Sequence, residues 1–164
     1  MSAIHFPYTR NCFVCGAENP HGLRLRFRWE TDAVRADFLP RAPHEGYPGV
    51  VHGGVIASAL DETMFWAAAY ASRKFHVSVE MAVRYQEKVT VGQPYFLLGR
   101  TQREQRHICF TEAELRDATG KVCATATGKF FPLRPNAVPI RHEDFITDSG
   151  TVSVADFWPR TGVA

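Results

Sequence analysis

The sequence predicts an α+β fold in which an antiparallel sheet of five or six strands wraps around one long helix. One segment, residues 53–72, is rich in alanine and apolar on nearly every side, which is typical of a buried helix. Several other segments alternate apolar and polar residues with period two, which is typical of half-buried strands. Because most of these segments follow one another closely, hairpin connections and an antiparallel sheet are expected.

The strands follow from this alternation in chain order. Residues 23–30, LRLRFRWE, form the first, and residues 33–39, AVRADFL, form the second, with a hairpin turn around Thr31 and Asp32. After the helix, VSVEMAVRYQ is expected to place its apolar side chains on one face: Val77, Val79, Met81, Val83 and Tyr85. The last three strands are PYFLLGRTQREQ, HICFTEAELRD and VCATATGKFF, with a turn at ATGK before the last of them.

Length and composition limit the class of protein. The 164 residues suit one domain, which we place at residues 1–132, and a proline-containing stretch marks residues 133–164 as a C-terminal extension. The net charge of +2 does not favour nucleic acid, and no apolar run is long enough to span a membrane. The N-terminus lacks the apolar core of a signal peptide. We therefore expect a cytoplasmic protein with reduced cysteines.

The predicted helix carries two carboxylates, Asp61 and Glu62, in an otherwise apolar stretch. A buried carboxylate is costly unless it is paired or functional, so Asp61 is either a structural ion pair or a site residue. Gly53 and Gly54 stand where the helix begins. Their free N–H groups and the helix dipole would suit an oxyanion, although two glycines could simply make a tight entry to the helix.

Spacing along the helix predicts that a site built from both features needs two subunits. Gly54 and Asp61 are seven residues apart and lie on nearly the same helix face, about 10 Å apart along the axis. One carbonyl group cannot contact both at about 3 Å. Two antiparallel copies of the helix could bring Gly54 of one subunit to Asp61 of the other.

These features resemble those of the hotdog-fold thioesterases, in particular the acyl-CoA thioesterase branch related to the phenylacetate pathway. The matching features are His52-Gly53-Gly54 followed by Asp61 and Glu62, the lead-in NCFVCGAENPHGLRLRF, and VSVEMAVRYQEKV after the helix. The resemblance runs from Asn11 to Phe131. It implies a homodimer, with a dimer of dimers left open, that hydrolyses a coenzyme A thioester at the interface between subunits.

The resemblance also implies roles for individual residues. Asp61 would be the nucleophile or the general base, and Gly54, with or without Gly53, would donate the oxyanion N–H. His52 would orient the thioester or its loop, and Ser78 would help to position the attacking water.

Three further residues are predicted to contact the substrate: Tyr47, Glu62 and Phe65. Core packing is the alternative for Phe65. One position departs from the family pattern, because Gly46 stands where relatives often have asparagine.

Cys12 and Cys15 form a C-x-x-C pair. A zinc site typically has four ligands, and no second pair is visible, so we interpret the two cysteines as small buried residues in a turn. We predict no metal and no cofactor.

Two other functions remain open. A non-catalytic acyl-CoA sensor could use the same fold, although no helix-turn-helix for DNA binding is visible. An enoyl-CoA hydratase or dehydratase would need a histidine beside the thioester, and His44 is the candidate. The expected partners are thus an acyl-CoA and a second copy of the chain, with neither nucleic acid nor membrane.

Overall fold

The computed structural model describes residues 3–134 and 137–157. A single long helix, α1, packs against a seven-stranded antiparallel sheet in the order β1-β3-β4-β6-β7-β8-β5. The elements of this unit are β1 (Ile4–His5), β3 (Arg28–Glu30), β4 (Ala33–Phe38), α1 (Gly53–Ser72), β5 (His76–Tyr85), β6 (Tyr95–Gln105), β7 (Ile108–Asp117) and β8 (Val122–Pro132). A separate pair joins β2 (Tyr8–Thr9) to β9 (Phe145–Ile146), and short 3-10 helices cover Ala42–His44, His142–Asp144 and Val154–Asp156.

The predicted fold class is confirmed, with one more strand than expected. The additional strand, β1, has two residues and pairs with β3, so it is too short to show any alternation. The hairpin at Thr31 and Asp32 is also confirmed, because both residues have positive φ, 49° and 63°, as a tight two-residue hairpin requires.

The first predicted strand is mostly wrong in extent. Leu23, Leu25 and Phe27 are buried as the alternation implied, but only Arg28–Glu30 is strand. The positive φ of Arg24, 58°, breaks the extended backbone. The preceding residues instead hydrogen-bond to the cysteine-containing turn, with Leu23 N–H donating to the Phe13 carbonyl at 2.8 Å.

Strand β5 is confirmed, but its apolar residues do not share one face. The register with β8 shifts between Ser78 and Glu80, which is a β-bulge. Ser78 is opposite Phe130, a core residue, and Met81 is opposite Gly128, so both side chains lie on the face toward the helix. Strict alternation would have put Ser78 and Met81 on opposite faces.

The helix lies very close to the sheet. A Cβ placed on Gly99 of β6 would come within 2.7 Å of the Thr63 methyl group, so only glycine fits beneath this point of the helix. Thr63 is itself fully buried, and its hydroxyl donates to the Ala59 carbonyl at 2.7 Å within the helix.

The described part of the C-terminal extension packs on this unit rather than hanging free. Phe157 is 1% exposed and stacks on Phe75 with ring centroids 5.9 Å apart, and Phe145 also stacks on Phe75, at 5.4 Å. Phe6 and Trp66 complete this aromatic cluster. Residues 135–136 and 158–164 of the predicted extension lie outside the described residues.

One edge of the sheet, strand β5, presents apolar side chains to solvent. Val77, Val79 and Tyr85 are 42%, 57% and 52% exposed. Edge strands with exposed backbone and apolar side chains are prone to pair with another chain. Among the described residues, no helix is long and apolar enough to cross a membrane.

Candidate active site

The start of α1 is held by two side chains. His52 is the N-cap, and its Nδ1 accepts a hydrogen bond from the Gly54 N–H at 2.9 Å. The Tyr85 hydroxyl of β5 donates to the Gly53 carbonyl at 2.9 Å. An oxyanion at Gly54 would therefore replace the imidazole as the acceptor of its N–H group.

Asp61 and Ser78 lie together where α1 faces β5. Burial raises the pKa of Asp61 above its usual value, and a hydrogen bond with the Ser78 side chain acts in the opposite direction. The β-bulge is what turns Ser78 toward the helix. A carboxylate with a raised pKa beside a hydroxyl group can accept a proton from water and hold that water in place.

Glu62 contacts the C-x-x-C turn, where Cys12 Sγ lies 3.2 Å from its Oε2. Burial raises the pKa of Glu62, and the charge of Cys12 acts in the same direction. A hydrogen bond with the Cys15 thiol lowers the pKa of Cys12 to about 5, although burial opposes this, and the same bond raises the pKa of Cys15.

Two cavities meet at these residues. The inner cavity, of about 510 Å³, has mainly aromatic and aliphatic walls, which are formed by Phe65, Trp66, Phe75, Val77, Phe130, Leu133, Ile140 and Phe145. The outer groove lies between α1 and β5 and is lined by Ala57, Ser58, Val79, Glu80 and Met81. Both cavities are lined by the same four residues: Cys12, Asp61, Glu62 and Ser78.

Of the other predicted residues, Phe65 lines a cavity, whereas Tyr47 and His44 line neither of the two. Phe65 lines the inner cavity and contacts Trp66 edge to face at 5.1 Å, so it both packs and faces the site. Tyr47 is 81% exposed and lines neither cavity of this chain. His44 is 1% exposed, and its Nδ1 accepts the Arg41 N–H at 3.0 Å, which gives it a structural role in the loop before the helix.

Sequence reasoning missed two parts of this site. The C-x-x-C turn reaches the helix at Glu62, and the extension supplies Leu133, Ile140 and Phe145 to the inner cavity. For the contact between the turn and the helix, the sequence offered only a thiol and a carboxyl group, Cys12 and Glu62, which are 50 residues apart. For the contribution of the extension to the inner cavity, the sequence offered only scattered apolar residues after a proline.

The chain is similar to known proteins. Residues 48–124, which contain α1 and the strands around the site, match the family model of the Thioesterase superfamily. A protein of Saccharolobus solfataricus named "Putative esterase" is 34% identical over 87 residues, which is 52% of this chain and 61% of that protein. This match spans about three-fifths of the relative's length.

Solved structures show the same fold. A thioesterase superfamily protein has a TM-score of 0.70 at 29% identity, with 74% of this chain and 60% of that chain covered. A Streptococcus mutans protein solved with acetyl CoA has a TM-score of 0.59 at 18% identity, with 64% and 84% covered. Residues 48–124 thus resemble the Thioesterase superfamily, and the chain shares the hotdog fold of the solved thioesterase superfamily protein.

Proposed function

We propose that this protein hydrolyses the thioester of an acyl-CoA to a free acid and coenzyme A. The observation that carries the proposal is the position of Asp61. This carboxylate stands where an apolar cavity meets an open groove. A thioester is likewise the junction between an apolar acyl chain and a polar pantetheine arm.

In this proposal the acyl group occupies the inner cavity and the pantetheine arm follows the outer groove along β5. Aromatic and aliphatic walls favour an apolar acyl group, and a volume of about 510 Å³ is within the range of small-molecule sites. The S. mutans protein was solved with bound acetyl CoA, which supports a coenzyme A thioester as the class of ligand.

Asp61 acts as the general base. It takes a proton from a water molecule that Ser78 helps to position, and the resulting hydroxide attacks the acyl carbonyl carbon. The carbonyl oxygen becomes an oxyanion. The C–S bond then breaks, the coenzyme A sulfur leaves as thiolate and takes the proton that Asp61 holds, and the acid is released with Asp61 again ionised.

The oxyanion donors come from the start of α1 in a second subunit. The roughly 10 Å between Gly54 and Asp61 along one helix prevents one subunit from providing both groups. The exposed apolar edge of β5, with Val79 57% exposed, supports pairing of two copies beside the groove. The Gly54 N–H would stop donating to His52 Nδ1 and donate to the oxyanion instead. Gly53, which has no side chain, would let the thioester come close to the backbone.

The test is a panel of acyl-CoA substrates of differing chain length, with a dye that reports free thiol. Release of coenzyme A that depends on Asp61 supports the proposal. Tight binding of acyl-CoA without thiol release would indicate a sensor instead. A change in enoyl absorbance without thiol release would indicate hydration, although the buried and hydrogen-bonded His44 gives no support to that chemistry.

A further inference from the structure

The C-x-x-C turn and the helix bring three potential metal ligands to one point. The sulfur atoms of Cys12 and Cys15 and a carboxylate oxygen of Glu62 all lie within 4.8 Å of one another, and Cys12 Sγ is 3.2 Å from Glu62 Oε2. With Zn–S of about 2.3 Å and Zn–O of about 2.1 Å, the sulfur and oxygen ligand atoms of a tetrahedral zinc ion lie about 3.6–3.8 Å apart. Small side-chain movements would therefore bring the atoms of Cys12, Cys15 and Glu62 to the ligand spacing of a zinc ion.

The turn is built to present the sulfur of Cys12. The Val14 N–H donates to Cys12 Sγ at 3.2 Å, and the Cys15 N–H also hydrogen-bonds to that sulfur. Amide donors of this kind stabilise a thiolate, which is the form that binds metal. Gly16 closes the turn, because a Cβ there would overlap the Cys12 carbonyl oxygen.

Contacts outside the cluster hold the turn firmly. The Leu25 N–H donates to the Val14 carbonyl at 2.9 Å, and Arg26 Nη1 donates to the Cys15 carbonyl at 2.8 Å. The position of the turn relative to the helix is therefore set by the fold around it. Such preorganisation lowers the cost of assembling a metal site.

The carboxyl group of Glu62 is not paired with a cationic side chain among the described residues. Glu62 takes part in none of the ion pairs formed by residues 3–134 and 137–157. Arg26 donates to the backbone carbonyls of Cys15 and Leu25 and stacks on Tyr8. Two thiols and a carboxyl group packed together cannot all be ionised unless a cation lies beside them.

We propose that Cys12, Cys15 and Glu62 bind a divalent metal ion of the zinc class. Two soft sulfur ligands favour zinc over magnesium or calcium. Cys12 and Glu62 line both cavities, so the fourth position can face the cavities and take a water molecule or another small ligand. The ion would join the N-terminal turn to the helix one residue after Asp61. This inference does not depend on thioester hydrolysis.

The experiment measures metal in the full chain. The protein is purified with reductant, incubated with zinc, desalted and analysed by mass spectrometry of its metals. A parallel sample receives cobalt, whose thiolate charge-transfer absorption reports sulfur ligands directly. We expect about one zinc per chain and a cobalt spectrum with thiolate bands.

Three variants sharpen the result. Cys12→Ser and Glu62→Gln should lose most of the bound zinc and the cobalt bands, whereas Cys123→Ser, which removes a thiol elsewhere in the core, should keep both. A chelator should lower the melting temperature of the parent and leave that of Glu62→Gln unchanged.

The inference is overturned if the reduced parent protein takes up neither zinc nor cobalt, a result that needs no variant to fold. It is also overturned if Glu62→Gln folds and keeps the parental metal content and cobalt spectrum. Formation of a Cys12–Cys15 disulfide in place of metal uptake would show that the pair is a redox couple instead.

Discussion

The two faces of α1 have opposite characters. The face toward the sheet is packed without space, with Ala59, Leu60, Thr63 and Met64 fully buried and Gly99 directly beneath it. The adjacent face, toward β5 and the N-terminal turn, carries Asp61, Glu62 and Phe65 and borders the two cavities. The comparison teaches that one side of a helix can pack closely on a sheet while the other side leaves space for a cavity lined by carboxylates.

The largest effect is expected on the cavity face. Asp61→Asn is nearly isosteric but cannot accept a proton, so kcat on the best acyl-CoA should fall by at least about a hundredfold. The melting temperature should stay near that of the parent, because Asp61 is partly exposed. Steady-state kinetics with sizing chromatography measure both quantities.

The matched control for this change is Asp37→Asn, which removes an exposed carboxylate that pairs with Arg28 on the sheet. Its kcat should equal that of the parent. Near-parental turnover in Asp61→Asn would show that the carboxylate has no role in the chemistry. Unfolding of the Asp61→Asn variant would instead show that Asp61 has a structural role.

The second effect tests whether the cavity face is completed by another subunit. Neither Asp61→Ala nor Gly54→Pro should be active alone, since the first lacks the base and the second lacks the N–H donor. Mixed heterodimers should regain about half of the parental activity, because one of the two sites would be intact.

Heterodimers carrying different affinity tags can be isolated before the assay, and Gly54→Ala, which keeps the N–H, serves as the control for backbone substitution. Verified heterodimers without any recovery would contradict a shared site.

The third effect concerns the wall of the inner cavity to which the C-terminal extension contributes Phe145. Phe145→Ala enlarges the cavity and removes its contact with Phe75. The ratio of kcat/KM between small and large acyl groups should shift toward large ones by about 10-fold or more, the usual scale for a hydrophobic pocket contact. Val138→Ala, in the same segment but lining neither cavity, should leave the ratio unchanged. An equal shift in both variants would mean that the segment acts through general stability.

The smallest effect on activity is expected from the packed face. Gly99→Ala would force the Thr63 backbone and methyl group away, with the Cβ 2.9 Å from the Thr63 carbonyl oxygen. Overpacking of this kind lowers the free energy of unfolding by about 1–3 kcal/mol. Urea denaturation measures the loss, and kcat at low temperature should remain parental. A large fall in kcat with unchanged stability would show that the two faces are not separable.

Local sequence pattern determined most of the fold. The helix from Gly53 to Ser72, the hairpin at Thr31 and Asp32, and four of the long strands follow from periodicity and turn chemistry, which act between residues close in the chain. The prediction failed where a turn takes the place of a neighbouring strand: residues 23–27 alternate like a strand, but Leu23 and Leu25 hydrogen-bond to the cysteine turn. The positions of Asp61, Gly53 and Gly54 along one helix were also predictable, because a helix has known geometry.

Only the tertiary structure decided what surrounds Asp61. The bulge in β5 turns Ser78 toward it, the N-terminal turn brings Cys12 to Glu62 across 50 residues, and the extension walls the inner cavity with Phe145. Each of these contacts depends on where separate segments pack on the helix. The spacing of residues along the chain carries no record of such contacts, because a folded chain can bring any two surface segments together at similar entropic cost.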